Sequence, residues 1–86
     1  MEVAVSRNFT KQYSKASHKI QLAFQNRVQL LLSNPQHSQL RLHLLQGRLR
    51  GYYSINITGD WRALFIYRND QTIVFQAIGT HSQLYK

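Results

Sequence analysis

The sequence predicts an α+β domain in the order β-α-α-β-β-β, with two N-terminal helices packed on one face of a small antiparallel sheet. Three observations carry this. Apolar residues recur at helical spacing between His18 and Ser33. From Tyr52 to Ile78 the apolar pattern has a period of two, broken by two turns. A short alternating run, "MEVAVS", opens the chain and supplies one more strand. A single sheet must bury a face, and the two helices are there to cover it.

Each element has its own warrant. Val3 and Val5 fall on one face of the first strand. Asn8 is placed to cap the first helix, which carries Phe9 and Tyr13 on one side at a spacing of four. In "SHKIQLAFQNRVQLLLSN", Ile20, Ala23, Phe24, Val28 and Leu31 form an apolar stripe, while Lys19, Gln25, Asn26 and Gln29 lie mostly away from it. That is a helix that packs on a sheet. A membrane-surface helix would line its polar face with Lys and Arg, and this one does not. Ser33-Asn34-Pro35 stops it.

The stretch from Pro35 to Gly51 is irregular. Leu40, Leu42 and Leu44 alternate there, enough for a short strand, and Gly47 and Gly51 bracket a basic "RLR". Beyond it Tyr53, Ile55 and Ile57 point one way, and Tyr52, Ser54, Asn56 and Thr58 the other. "TGD" is a hairpin turn in which Gly59 supplies a positive φ. Trp61 to Tyr67 forms the next strand, "RND" turns, and Thr72 to Ile78 forms the last, with Gly79 turning the chain off the sheet edge. The face away from the helices is left partly open, with Ser54, Asn56 and Arg62 as its polar floor.

Eighty-six residues make one domain, 1–86, with a thin core. Nothing reads as a signal peptide, and no apolar run approaches the roughly 20 residues of a membrane span. Cysteine is absent, which removes disulfides and thiol chemistry. A cytoplasmic protein is the simplest reading. Eleven Lys and Arg face three acids, a net charge of +8, and such a surface attracts phosphate backbones or an acidic protein. The acids are Glu2, Asp60 and Asp70. A two-metal nuclease needs several converging carboxylates and a glycosidase a flanking pair. Chemistry on phosphate esters here works without a metal or other cofactor.

That chemistry falls to His, Arg, Lys and Tyr. His18 at a helix start and His37 in a loop read as plain surface residues. His43 precedes the basic loop. His81 follows the last strand, and Tyr85 shares a side with it if the tail makes a helical turn. Histidine exchanges a proton near neutral pH. An RNA strand carries its own nucleophile, the 2′-hydroxyl, so a metal-free ribonuclease needs only a base, an acid and cations. Arg48 and Arg50, between the two glycines, suit phosphate contacts. Trp61 reads as a core anchor or a base-stacking surface, and Asp60 as a turn cap or a group that orients a catalytic side chain.

The pattern "LQGRLRGYYSINITGDWRALFIY…VFQAIGTHSQLYK" resembles the RelE/ParE superfamily of toxins, most closely its YafQ-like branch. The matching residues are Leu45 to Gly47, Gly51, Asp60-Trp61, Gly79 to His81 and Leu84-Tyr85. The resemblance implies the RelE-like fold and a ribosome-dependent endoribonuclease that cuts mRNA and blocks translation, held inactive by an acidic antitoxin in a hetero-oligomer. It implies His81 as the catalytic histidine and Tyr85 as the terminal aromatic. Asp60 and Trp61 are then the hairpin pair, Arg62 the strand arginine, and His43 lies near a histidine that some members carry. Asn56 stands where relatives often have histidine, and Ala77 where they often have arginine. Two other readings share the fold: a ParE-like toxin that inhibits gyrase and cleaves nothing, and a decayed relative that only binds RNA or its antitoxin.

Overall fold

The computed structural model describes residues 1–85. The first strand, β1 (Glu2–Val5), leads through Ser6 into α1 (Arg7–Lys15), and α2 (His18–Ser33) follows after a two-residue break. Both helices start on a serine. Ser6 Oγ accepts from the Phe9 amide at 3.0 Å and Ser17 Oγ from the Ile20 amide at 3.2 Å, each satisfying a donor that the first turn leaves unpaired. Ser6, not Asn8, is therefore the first cap. Ser6 has the extended backbone a cap requires, while Asn8 already lies inside the helix and donates to the Gln76 carbonyl at 2.9 Å.

The chain then forms β2 (His43–Leu44), a 3-10 turn at Gly47–Leu49, β3 (Tyr53–Asn56), β4 (Trp61–Asn69), β5 (Thr72–Thr80) and a short terminal helix, α3 (His81–Tyr85). The five strands lie in the order β1-β5-β4-β3-β2. Strands β2 to β5 are an antiparallel meander, but β1 pairs parallel with β5, Val3 opposite Ile73. The sheet is thus mixed. A long helical crossover, unlike a hairpin, leaves the direction of the strand it joins free.

Several local expectations change. The alternating leucines of 40–44 give only a two-residue strand. Leu40 is instead fully buried in a turn, its carbonyl accepting from the Asn56 amide at 2.8 Å. Gly59 does not take a positive φ; Gly47 (70°) and Gly51 (98°) do. The 57–60 loop closes without one, because the Ile57 amide reaches the Trp61 carbonyl at 2.8 Å and Thr58 Oγ1 accepts from the Trp61 amide at 3.3 Å. Strand β5 continues past Ile78 to Thr80 and is internal, so Gly79 lies within it rather than turning the chain off an edge.

Helix and sheet meet as their periodicities require. Ile20, Phe24, Val28 and Leu31 of α2 and Phe9 of α1 are buried against Ile55, Ile57, Ala63, Phe65, Ile73, Phe75 and Ile78. Phe75 is the hub: the rings of Phe9, Phe24 and Phe65 lie 5.8, 4.9 and 5.3 Å from it. Val3 and Val5 share a strand as expected, but both stay exposed on the sheet edge. Residue 76 breaks the alternation of β5, since Phe65 faces Phe75 while Leu64 faces Ala77. Phe75→Ala lowers the unfolding free energy by about 3–5 kcal/mol in urea melts, because a ring-sized cavity opens at the hub. Val5→Ala, at the exposed edge, changes it by no more than about 0.5 kcal/mol.

Candidate active site

The tail "GTHSQLY" is a docked helix. Thr80 and Gln83 form a reciprocal cap: Gln83 Oε1 accepts from the Thr80 amide at 2.8 Å, and Thr80 Oγ1 accepts from the Gln83 amide at 3.2 Å. The His81 amide donates to the Asp60 carbonyl at 2.9 Å, tying the helix start to the β3–β4 loop. Helix α3 lies so close to β5 that a Cβ on Gly79 would stand 2.9 Å from Gln83 Oε1 and 3.4 Å from the Leu84 side chain. At the far end the Tyr85 hydroxyl and Ser54 Oγ are 2.7 Å apart. Ser54 is fully buried beneath it, so this part of the expected open floor is in fact covered by the tail.

This docking assembles a row of groups on the face away from α1 and α2. The His81 and Tyr85 rings meet edge to face, 4.5 Å between centroids. Tyr85 holds Ser54, and directly opposite Ser54 on β2 is His43. His43 Nδ1 lies 2.7 Å from the Arg41 carbonyl. A carbonyl only accepts, so Nδ1 carries the hydrogen, and Nε2 of the neutral ring is left as a proton acceptor. Both histidines are exposed. Arg48, on the 3-10 turn, lines a cleft of about 180 Å³ together with Tyr85.

The other predicted residues are placed differently. Arg62 shares this face, opposite Gly79, but its Nη1 donates to the carbonyls of Thr58, Gly59 and Trp61 at 3.1, 3.2 and 3.0 Å and so stitches the hairpin loop. The Asp60 carboxylate makes no hydrogen bond among the described residues; its backbone carbonyl does the anchoring, and Thr58 caps the turn. Trp61 alternates onto the helix side and packs against the core. Asn56 is half-buried opposite Arg62. Arg50 is exposed beyond the 3-10 turn. Ala77 and Leu64 form an apolar floor under Leu84, in a cleft of about 360 Å³ that Tyr52 also lines. Among the described residues no three His, Asp or Glu side chains gather as a metal-holding group. None of the helices there is long and apolar enough to cross a membrane. Sequence reasoning missed the Thr80–Gln83 cap, although the spacing Thr-x-x-Gln signals it, and the anchoring role of Ser54, which nothing local signals.

The fold has close counterparts among solved structures. The crystal structure of YafQ from E. coli strain BL21(DE3) superposes with a TM-score of 0.83 at 22% identity, covering 99% of this chain and 98% of that one. The toxin in the E. coli DinJ-YafQ complex gives 0.81 at 25%, with the same coverage. The YoeB/ParE toxin from Agrobacterium tumefaciens gives 0.77 at 14%, covering 94% and 99%. No curated protein matches the chain. The family model described as the bacterial toxin of type II toxin-antitoxin systems, YafQ, matches residues 1–86, and the chain belongs to that family.

Proposed function

We propose that this toxin is a metal-independent endoribonuclease that cleaves mRNA on the ribosome and so inhibits translation in the cytoplasm. The observation that carries the reading is the pair of exposed histidines on one sheet face, linked through Ser54 and Tyr85, with Arg48 beside the tyrosine. In this mechanism His43 Nε2 takes the proton of the 2′-hydroxyl. The 2′-oxygen attacks phosphorus, the bond from phosphorus to the 5′-oxygen breaks, and His81 protonates that leaving oxygen. The products are a 2′,3′-cyclic phosphate and a 5′-hydroxyl. Arg48 stabilises the charge that builds on the phosphate, and Tyr85 positions the phosphate or packs on a base. Arg50 and Asn56 contact the strand at the rim, and Asp60 fixes His81 through its backbone.

The partner is an acidic antitoxin, in keeping with the DinJ-YafQ complex of the E. coli relative. The net charge of +8 attracts such a chain. A segment that folds as it binds can lie over the tail and the basic turn at once.

Five outcomes test this. His81→Ala and His43→Ala each slow cleavage by about a hundredfold to ten-thousandfold and abolish growth arrest, while His18→Ala has no effect. Mapping of mRNA 5′ ends after induction shows codon-phased cuts for the parent only. Intact mRNA with gyrase-linked DNA breaks would select the ParE-like reading, and neither lesion the binding-only one. Arg48→Ala weakens ribosome binding and reduces its salt slope by about one. Arg62→Ala chiefly lowers the melting temperature, because it releases three loop carbonyls. Antitoxin at about a hundred times its Kd stabilises the toxin by about 2.7 kcal/mol, read as a rise in melting temperature; an unchanged melt rejects the pairing.

A further inference from the structure

A third cleft, of about 430 Å³, lies between the last turn of α1 and α3, lined by Gln12, Lys15, Ala16, Trp61, Ile78 and Gln83. Both glutamines have their acceptor ends in use. Gln12 Oε1 accepts from the Ile78 amide at 2.9 Å and Gln83 Oε1 from the Thr80 amide at 2.8 Å. What each amide has left to offer is its NH₂ group. Lys15 adds an ammonium, and Trp61 is half-buried, part of its indole packed on the core and part lining the cleft. None of these residues is acidic. The cleft therefore presents donors, a positive charge and a flat π-surface. The matching ligand is planar, rich in acceptors and anionic.

We propose that this cleft binds one nucleobase of the RNA strand, stacked on Trp61, with its edge accepting from Gln12 and Gln83 and its phosphate facing Lys15. The identity of the strand rests on the ribonuclease reading; the nucleotide chemistry of the cleft does not. Gln83 is both a wall of the cleft and half of the cap that starts α3 at His81. An occupied cleft thus steadies the helix that carries His81.

Trp61 is the single tryptophan of the chain, so intrinsic fluorescence reports on this site directly. AMP and GMP are titrated into the toxin, with ribose 5-phosphate as the baseless control. The expected result is saturable quenching by the nucleotides alone. Lys15→Glu should weaken it by about tenfold and Lys15→Arg should restore it to within about twofold. A flat titration, equal quenching by ribose 5-phosphate, or indifference to Lys15→Glu overturns the proposal. Quenching by the antitoxin but not by nucleotides overturns it too, giving the cleft to the protein partner. A flat titration alongside His81-dependent mRNA cuts removes the cleft and spares the nuclease. Saturable quenching without cuts supports the nucleotide site and removes only the nuclease.

Discussion

Between Phe75 and Ala77 strand β5 carries a residue that β4 does not pair, and the rest of the molecule is arranged around that residue. Ile73 and Phe75 face the helices in strict alternation. Without Gln76 as an extra residue, Ala77 would follow them into the core and Ile78 would face away. With it, Ile78 joins the core, and Ala77 and Gly79 fall on the opposite face, beside Leu64 and Arg62. A bulge normally leaves polar backbone unsatisfied. Here the Gln76 carbonyl accepts from Ser6 Oγ at 3.3 Å and Asn8 Nδ2 at 2.9 Å, and the Ile78 amide donates to Gln12. The polar side chains of α1 therefore seal the edge of β5 where β1 ends.

The face that the bulge creates is where the tail docks. A five-residue helix has no stability of its own, because nucleation costs more than so few turns return. Its order comes from its surroundings: the reciprocal cap, the Asp60 carbonyl, the Tyr85–Ser54 bond and the contact of Leu84 over Gly79. Each such bond is worth about 1 kcal/mol net, so α3 opens more easily than the Phe75 core. The proposed catalytic histidine thus sits on the least stable helix of the fold, where a partner that holds or displaces the tail has most leverage.

Much of this was legible in the chain. The stripe of α2 and the period of two from Tyr53 to Ile57 are burial patterns, and burial is what a sequence encodes most directly. The spacing of His81 and Tyr85 put both on one side only if the tail were helical, and the chain did not decide that condition by itself. What stayed hidden depends on contacts distant in sequence. The parallel pairing of β1, the bulge at Gln76 and the burial of Ser54 under a residue 31 positions away have no local signal. The hairpin bonds of Arg62 were hidden for a related reason. Its place beside Gly79 follows from strand register, but whether a long side chain turns to the site or to its own hairpin depends on which carbonyls the loop leaves free. Here the loop leaves those of Thr58 and Gly59, and Arg62 shares that of Trp61 with the Ile57 amide.

That choice decides where positive charge can act. Arg62 Nη1 is committed to the hairpin, and no arginine lines the cleft floored by Ala77 and Leu64. In the proposed mechanism the charge comes instead from the turn between Gly47 and Gly51. Both glycines hold a positive φ, and a Cβ at either would touch nothing within 4 Å. Their requirement is therefore conformational, not spatial: a left-handed backbone costs an ordinary residue roughly 1–2 kcal/mol. Two such positions four residues apart fold "GRLRG" into a tight 3-10 turn that puts Arg48 at the cleft of Tyr85. In the proposed reaction Arg48 lies beside Tyr85, where the phosphate would sit, whereas Arg62 Nη1 serves the hairpin carbonyls. The two glycines thus belong to the site as much as Arg48 does, although neither has a side chain to offer it.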